Sequence, residues 1–530
     1  MNSLAKASYR WIITLLAIGI LVNLGAAAWI RTPGYMDAEY YFTTALKIVD
    51  GEGFTESYLW NYLDDPLGIP HPSHLYWMPL TTILSTGSMM VFGASYRAAQ
   101  LPFLLLTAAL PILTAFVAIY IYKNQSWAWR AGLLAIFSGF YLPFLLTTDT
   151  FILYAWVGCA SLWAMVEASR RPSGLRWVMV GVLVGLGHLI RTDGFLLLLP
   201  AVMAISWSER KKAHAFLGLV IGYLMLIGPW WIRNLLVVGQ PIPPGNARAF
   251  WLLSYDELYS FPGSILTPTR WLDSGLSSIV GTRLQALWTN LQRLLLENGI
   301  VFLSPFIVLG AHRFRNHPLT KIALTYLAIL LFVMSFVFPF AGSRGGFFHS
   351  GMAVMPVLWA FIPAGLEVAI DWGAKVRGWE RRKALKVFGT SVLVIVAILT
   401  IILFWSKVIG PEWNQPRWES GFRTYNEVGE QLRKLSSSPE VVAVNNPPGF
   451  SLATNLECVV IPNGTVETLR EVIEHYRVRW VVLDANRPAG LATLYDEPTS
   501  VSWLEQKATL YDASGREVYL LKVLLESGPS

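Results

Sequence analysis

The chain of 530 residues is 54% hydrophobic and only 14% charged. Soluble domains carry roughly 25% charged residues, so this composition excludes one and leaves most of the chain facing lipid or other apolar segments. The formal net charge of +7 does not require nucleic acid, because basic residues also gather on the cytoplasmic side of membrane proteins.

Lys6 and Arg10 precede an apolar run, Trp11 to Ile30, with Ala26-Ala-Ala28 near its end. The run is long for a signal-peptide core, so an uncleaved anchor is expected. Directly after it comes Pro33-Gly-Tyr-Met-Asp-Ala-Glu-Tyr-Tyr41. A helix from Asp37 to Val49 would carry Tyr40, Tyr41, Thr44 and Ile48 on its apolar side. Asp37 would then stand at the helix start, where the dipole favours a carboxylate, and capping is one explanation of it. Residues 51–79 follow, dense in aromatics and prolines, with two histidines and four more acids. That composition is costly beside a bilayer unless it lines a site.

Ten further apolar runs lie between residues 99 and 406. Basic clusters (Lys123 and Arg130, Arg170 to Arg176, Arg210 to Lys212, Arg313 to Lys321, Lys375 to Lys386) alternate with lean breaks that hold Asp149, Asp193 and Arg344. The rich breaks are expected in the cytoplasm and the lean ones outside. Residues 75–93 are long enough to cross, yet five Ser and Thr and a Pro interrupt them. A crossing there would turn every later basic cluster outward, so a juxtamembrane or re-entrant helix on the outer face is expected.

The expected fold is thus an α-helical polytopic membrane protein with eleven spans in residues 1–406 and outer loops at 31–98 and 239–297. Residues 407–530 form a small extracytoplasmic α/β domain in this reading. Val441-Val-Ala-Val444, Cys458-Val-Val-Ile461 and Trp480-Val-Val-Leu483 read as buried strands. Thr465 to Tyr476 reads as a helix capped by Thr465, and Tyr511, Val518, Tyr519 and Leu521 supply a closing hairpin. Two cysteines, Cys159 in an apolar run and Cys458 in the tail, make no disulfide framework.

Asp37, Glu39, Asp149, Arg191 and Arg344 all fall on the outer face in this topology. Asp149 either caps the next span or belongs to a site, and Arg191 either snorkels to headgroups or does likewise. Arg344 sits among glycines in Gly342-Ser-Arg-Gly-Gly346, with His349 close behind. Glycines let backbone amides approach an anion, and a guanidinium binds phosphate bidentately. His71-Pro-Ser-His74, with Asp64 and Asp65 nearby, has no zinc spacing, so no metal and no other cofactor is indicated. No P-loop, dinucleotide fingerprint or nucleophile elbow occurs. Nucleotide sugars are not expected outside the cytoplasm, so an enzyme there takes its donor from the membrane.

Tyr35-Met-Asp-Ala-Glu-Tyr-Tyr41 after the first span, Ala45, Gly51-Glu-Gly-Phe54, His71-Pro-Ser-His-Leu-Tyr-Trp-Met-Pro79 and Asp149 form one pattern. Together they resemble the GT-C superfamily of membrane glycosyltransferases, and within it the protein-mannosyltransferase and aminoarabinose-transferase branch. The likeness covers roughly residues 10–360. It implies a multi-span enzyme of the bacterial plasma membrane that takes a sugar from a polyprenyl-phosphate carrier. The sugar then passes, outside the cytoplasm, to a protein, lipid or glycan. The resemblance also implies Asp37 as the catalytic acid of the first outer loop, Asp149 as the second acid, and Arg344 to His349 as an element contacting the carrier phosphate. Glu39, His71, His74, Tyr76 and Arg191 are the further substrate-binding candidates. The family's lysine beside the Pro/aromatic motif is absent, and His71 and His74 stand in its place.

The residue types suit such chemistry. A carboxylate can take the acceptor proton in an inverting displacement, and a phosphate leaving group needs cations more than an acid. Trp60, Tyr62, Tyr76 and Trp77 either stack on sugar or anchor the loop at the interface. The alternatives are a transporter, which would carry ionisable residues near mid-span and repeated halves, and a non-catalytic protein of envelope glycan assembly.

Overall fold

The computed structural model describes residues 2–171, 173–207 and 212–524, without the side chains of residues 2–9. Arg210 and Lys211 of one expected basic cluster lie outside the described residues. Each of the eleven apolar runs contains helix, with 299–303 forming a turn before Ser304–Arg313. Among the described residues, seven helices are long and apolar enough to cross a membrane. The count is eight if Gln125–Ile136 and Gly139–Leu145, which meet at 44°, form one bent span. The remaining runs, Gly174–Ile190, Thr192–Ser206 and Ser304–Arg313, make shorter helices than the twenty residues of an ideal span. The protein is a multi-pass membrane protein with a mixed sheet in its C-terminal part.

Small residues let the spans approach closely. A Cβ on Gly181 would come within 2.2 Å of the Leu219 carbonyl oxygen, and one on Gly222 within 2.0 Å of that of Val178. The Gly174–Ile190 and Lys212–Val238 helices therefore cross backbone to backbone, the contact that replaces hydrophobic collapse inside a bilayer. Leu80–Phe92 has 13 residues, about 20 Å of helix, which is short of the hydrocarbon thickness. The loop 239–297 contains an amphipathic helix, Leu276–Arg293. It exposes Leu276, Val280, Leu284 and Trp288 at four-residue spacing, a stripe suited to a membrane surface.

The loop 31–98 builds β1 (Thr55–Glu56), β2 (Tyr58–Leu59) and β3 (His71–Pro72). The C-terminal part supplies β4 (Val442–Val444), β5 (Cys458–Val460), β6 (Trp480–Leu483), β7 (Leu504–Tyr511) and β8 (Glu517–Val523). The three expected tail strands are β4, β5 and β6, with every side chain buried, as short apolar runs in a parallel sheet must be. The closing hairpin is β7–β8. Val466–His475 is the expected helix, and Thr465 caps it in a reciprocal capping box with Thr468.

One strand comes from elsewhere in the chain. The sheet order is β2-β5-β4-β6-β8-β7, so Tyr58 and Leu59 of the loop 31–98 form its edge, parallel to β5. Tyr62 reinforces this join by donating its hydroxyl to the Val460 carbonyl and stacking on Tyr476 at 5.7 Å. The first loop and the tail are thus one packed body.

Within that loop β1 pairs antiparallel with β3, which sets Glu56 opposite His71. The imidazole faces carboxylates on both edges: Nδ1 lies 3.4 Å from Glu56 and Nε2 3.2 Å from Asp64. Burial pulls the His71 pKa down, but the facing carboxylates of Asp64 and Glu56 outweigh it and raise the value to about 9. A folded value above the unfolded one means that the charged ring stabilises the fold. That contribution is complete below about pH 6.5 and is lost as pH rises through the folded value. The thermal midpoint of the purified protein should therefore exceed that of His71→Gln by its full margin only near or below about pH 6.5. The margin should shrink through about pH 9, and a margin that grows with pH would contradict the ion pairs.

Candidate active site

Asp37 lies in the first turn of the Met36–Val49 helix, whose N-cap is Tyr35, with no side-chain cap bond. Capping therefore does not account for Asp37. One third of its side chain is exposed, and it lines a cavity of about 670 Å³. Glu39, two residues on, is 3% exposed, points away from this cavity and accepts a 2.8 Å hydrogen bond from Asn446 Nδ2. Burial raises its pKa to about 7.

Asp149 sits in the break Thr147-Thr-Asp-Thr150, where hydroxyls tie it to the turn before the Asp37 helix. Thr147 donates to the Pro33 carbonyl at 3.1 Å and Thr148 to that of Ala38 at 2.9 Å. The Asp149 carboxylate is 1% exposed. It accepts from the Tyr35 hydroxyl and the Thr150 amide, and His349 Nε2 stands 3.2 Å away. The other ring nitrogen of His349 is 2.9 Å from the Gly345 carbonyl, which can only accept. His349 can therefore donate to both partners at once only as the doubly protonated ring. Asp37 Oδ2 is 3.8 Å from the same Nε2.

The two carboxylates are pushed apart electrostatically. Burial and then the charge of Asp149 raise Asp37 to about 6, with His349 and Arg191 opposing. Burial would also raise Asp149, but His349, Tyr35 and the Thr150 amide together hold it below the usual carboxylate range. A pair with such divergent values has one member committed to its charge and one able to exchange a proton near neutrality. The ligand atoms of Asp37, Asp149 and His349 lie within 4.8 Å of one another, and two carboxylates with an imidazole are a donor set a divalent cation accepts. Asp149 is already satisfied by hydrogen bonds without one.

The cations differ in their freedom. Arg191 does not snorkel: its Nε donates to Asp193 at 2.9 Å and to Ser350 at 2.8 Å, and Nη1 reaches Thr150 at 3.3 Å. Arg344 also lines the cavity, lies 4.8 Å from the Tyr255 ring centre, and pairs with no carboxylate among the described residues. The segment carrying it is braced by the Leu276–Arg293 helix, where Asn290 donates to the Met334 carbonyl and Arg293 to that of Ser343, both at 3.1 Å.

The two histidines of the Pro/aromatic motif part company. His71 lies outside this cavity, and its carboxylates sit on opposite ring edges, so the three cannot share one ion. His74 lines the cavity but is 1% exposed and packed 5.2 Å from Tyr40. Burial, helped by Arg233, lowers its pKa to about 3, which leaves it neutral. Tyr76 also lines the cavity, as do Trp60 and Trp77, stacked at 4.0 Å. Tyr35, Asp193 and Ser350 were not expected. Tyr35 stands inside the Pro33–Tyr41 stretch and Asp193 beside Arg191, while Ser350 carries no sequence signal beyond its neighbour His349.

Residues 71–232 match the family model described as dolichyl-phosphate-mannose-protein mannosyltransferase. The match includes the Pro/aromatic motif, Asp149 and Arg191, but not Asp37. No curated protein matches the chain in sequence. Among solved structures, ArnT from Cupriavidus metallidurans bound to undecaprenyl phosphate is similar, with a TM-score of 0.57, 12% identity, and coverage of 98% of this chain and 99% of that one. The archaeal oligosaccharyltransferase AglB from Archaeoglobus fulgidus, in complex with an inhibitory peptide and a dolichol-phosphate, has a TM-score of 0.57 at 12% identity, covering 97% and 74%. The arabinofuranosyltransferase AftD from Mycobacteria reaches 0.50 at 13% identity, covering 98% of this chain and 42% of its own. Across nearly its whole length, then, the chain has the fold of the GT-C membrane glycosyltransferases.

Proposed function

We propose that the protein transfers a sugar from a polyprenyl-phosphate carrier to an acceptor on the extracytoplasmic side of the plasma membrane. Asp37 is the base and Asp149 the fixed charge beside it. The observation that carries this reading is one cavity with Asp37 and the unpaired Arg344 both on its wall. In this mechanism the acceptor hydroxyl gives its proton to Asp37 as its oxygen attacks the anomeric carbon. The bond from that carbon to the phosphate oxygen breaks, and the carrier leaves as a lipid phosphate whose charge Arg344 meets. A pKa of about 6 suits Asp37 to this work, because a base is most effective when its pKa lies near the working pH.

Further support comes from relatives in fold, of which one was solved with undecaprenyl phosphate and another with a dolichol-phosphate. The acceptor is a glycan, lipid or protein. Residues 407–530, with β2, form an outer body that shapes its approach and holds no catalytic group.

Transfer from a synthetic polyprenyl-phosphate sugar tests the assignment. Asp37→Asn should lower turnover by about a hundredfold or more while donor binding and membrane expression persist. Glu39→Gln keeps an oxygen for Asn446 and should stay close to wild type. The reverse ranking would make Glu39 the base. Arg344→Lys retains the charge but loses the bidentate fork, and should weaken donor affinity by about tenfold. Unchanged affinity in Arg344→Ala would remove the phosphate from this residue.

A further inference from the structure

The turn that presents Asp37 is poorly fixed by its own chain. Its helix begins at Tyr35 without a side-chain cap. Besides the Thr147 and Thr148 hydroxyls on Pro33 and Ala38, the turn is gripped by residues nearly 400 positions away. Trp418 stands in the short Arg417–Glu419 turn that follows the last span, and is 6% exposed. Its indole Nε1 donates to the Thr32 carbonyl at 3.1 Å. The ring lies so close to Gly34 that a Cβ there would come within 2.1 Å of Nε1, and Gly34 has a φ of +89°. Only glycine satisfies both the contact and the backbone.

The same indole meets the Tyr35 ring edge-on at 5.6 Å, and Phe144 closes another side at 5.4 Å. Boxed in this way, the Tyr35 hydroxyl is aimed at Asp149. A second grip lies on the far side of Asp37. Asn446 caps the Pro447–Thr454 helix through its oxygen, accepting from the Gly449 amide at 3.3 Å, while its nitrogen donates to Glu39 at 2.8 Å. A Cβ on Gly449 would come within 2.7 Å of that Glu39 oxygen, so this contact too is backbone-close.

We infer that the C-terminal region holds the Asp37 turn in its reactive pose, with Trp418 as a positioning residue that acts through Tyr35 on Asp149. This rests on the reading of Asp37 and Asp149 as the reacting pair. Trp418 does not line the cavity, so it acts on the rate and not on the binding of the carrier. Small misplacement of a reacting group costs far more in turnover than in affinity.

The test combines kinetics with amide hydrogen exchange on the full-length protein in detergent or nanodiscs. Trp418→Ala should lower kcat about tenfold or more with the donor KM unchanged. Tyr35→Phe should lose a comparable amount, and the double variant should fall no further than the worse single, as residues acting in one chain do. Trp418→Phe keeps a ring against Tyr35 but loses the bond to Thr32, so it should fall between wild type and Trp418→Ala. It also replaces the alanine variant if that one does not fold. Losses that multiply in the double variant, or a raised KM at constant kcat, would overturn the inference. Exchange separates this failure from that of the transferase reading, because it needs no turnover. In either Trp418 variant the amides of residues 32–39 should exchange faster while those of 55–72 keep the wild-type rate, and unchanged exchange at 32–39 would refute the clamp whatever the enzyme does.

Discussion

A carboxylate at 1% exposure is the constraint on which the site depends. Leaving a buried charge without partners costs about 3–5 kcal/mol, so Asp149 has to be surrounded by donors that are themselves held. Its three donors come from three separate parts of the chain. Tyr35 precedes the Asp37 helix, the Thr150 amide opens the next span, and His349 follows the Gly342–Gly346 π-turn. Gathering them fixes the relative position of the turn before Asp37, the Thr147–Thr150 break and the segment of Arg344. Asp37 then inherits its electrostatics from a neighbour whose charge is already committed. The Arg191–Asp193–Ser350 network, joined to this group through Thr150, keeps a second cation nearby without leaving it free to wander.

The same logic explains why this membrane protein carries a sheet with a strand borrowed from the loop after its first helix. The Pro/aromatic stretch has few backbone partners of its own, and its two-residue strands could not persist alone. Pairing β2 with β5 and donating the Tyr62 hydroxyl to Val460 anchors that stretch on a rigid body. The loop can then present Trp60, Tyr76 and Trp77 to the cavity without collapsing into it.

Much of this was legible in the sequence because it follows from local pattern. Apolar runs of the right length are helices, three short Val-rich runs are buried parallel strands, and Thr465 caps the helix it precedes. Asp37, Asp149 and Arg344 stood out because a charge beside an apolar span needs a reason. The rest depends on contacts across the fold. The helix Ser304–Arg313 is shorter than its apolar run, 298–312, because composition does not mark where a helix breaks. Glu39 and Asp37 have equal claims by type, and only the packing of Asn446 and Gly449 against Glu39 separates them. His71 is a substrate-binding candidate in sequence because it stands where the family's lysine is absent, yet pairing β1 with β3 commits it to Glu56 and Asp64. Trp418 gives no signal at all, since an indole near an interface is ordinarily an anchor.

The central claim is that the cavity bordered by Asp37 and Arg344 receives the carrier phosphate and its sugar. A structure of the protein with a non-hydrolysable polyprenyl-phosphate sugar in nanodiscs tests it most directly. The account predicts phosphate oxygens within hydrogen-bond reach of the Arg344 guanidinium and the anomeric carbon facing Asp37. A carrier bound elsewhere on the surface, or seated in the cavity with its phosphate against Asp37 and far from Arg344, would contradict it.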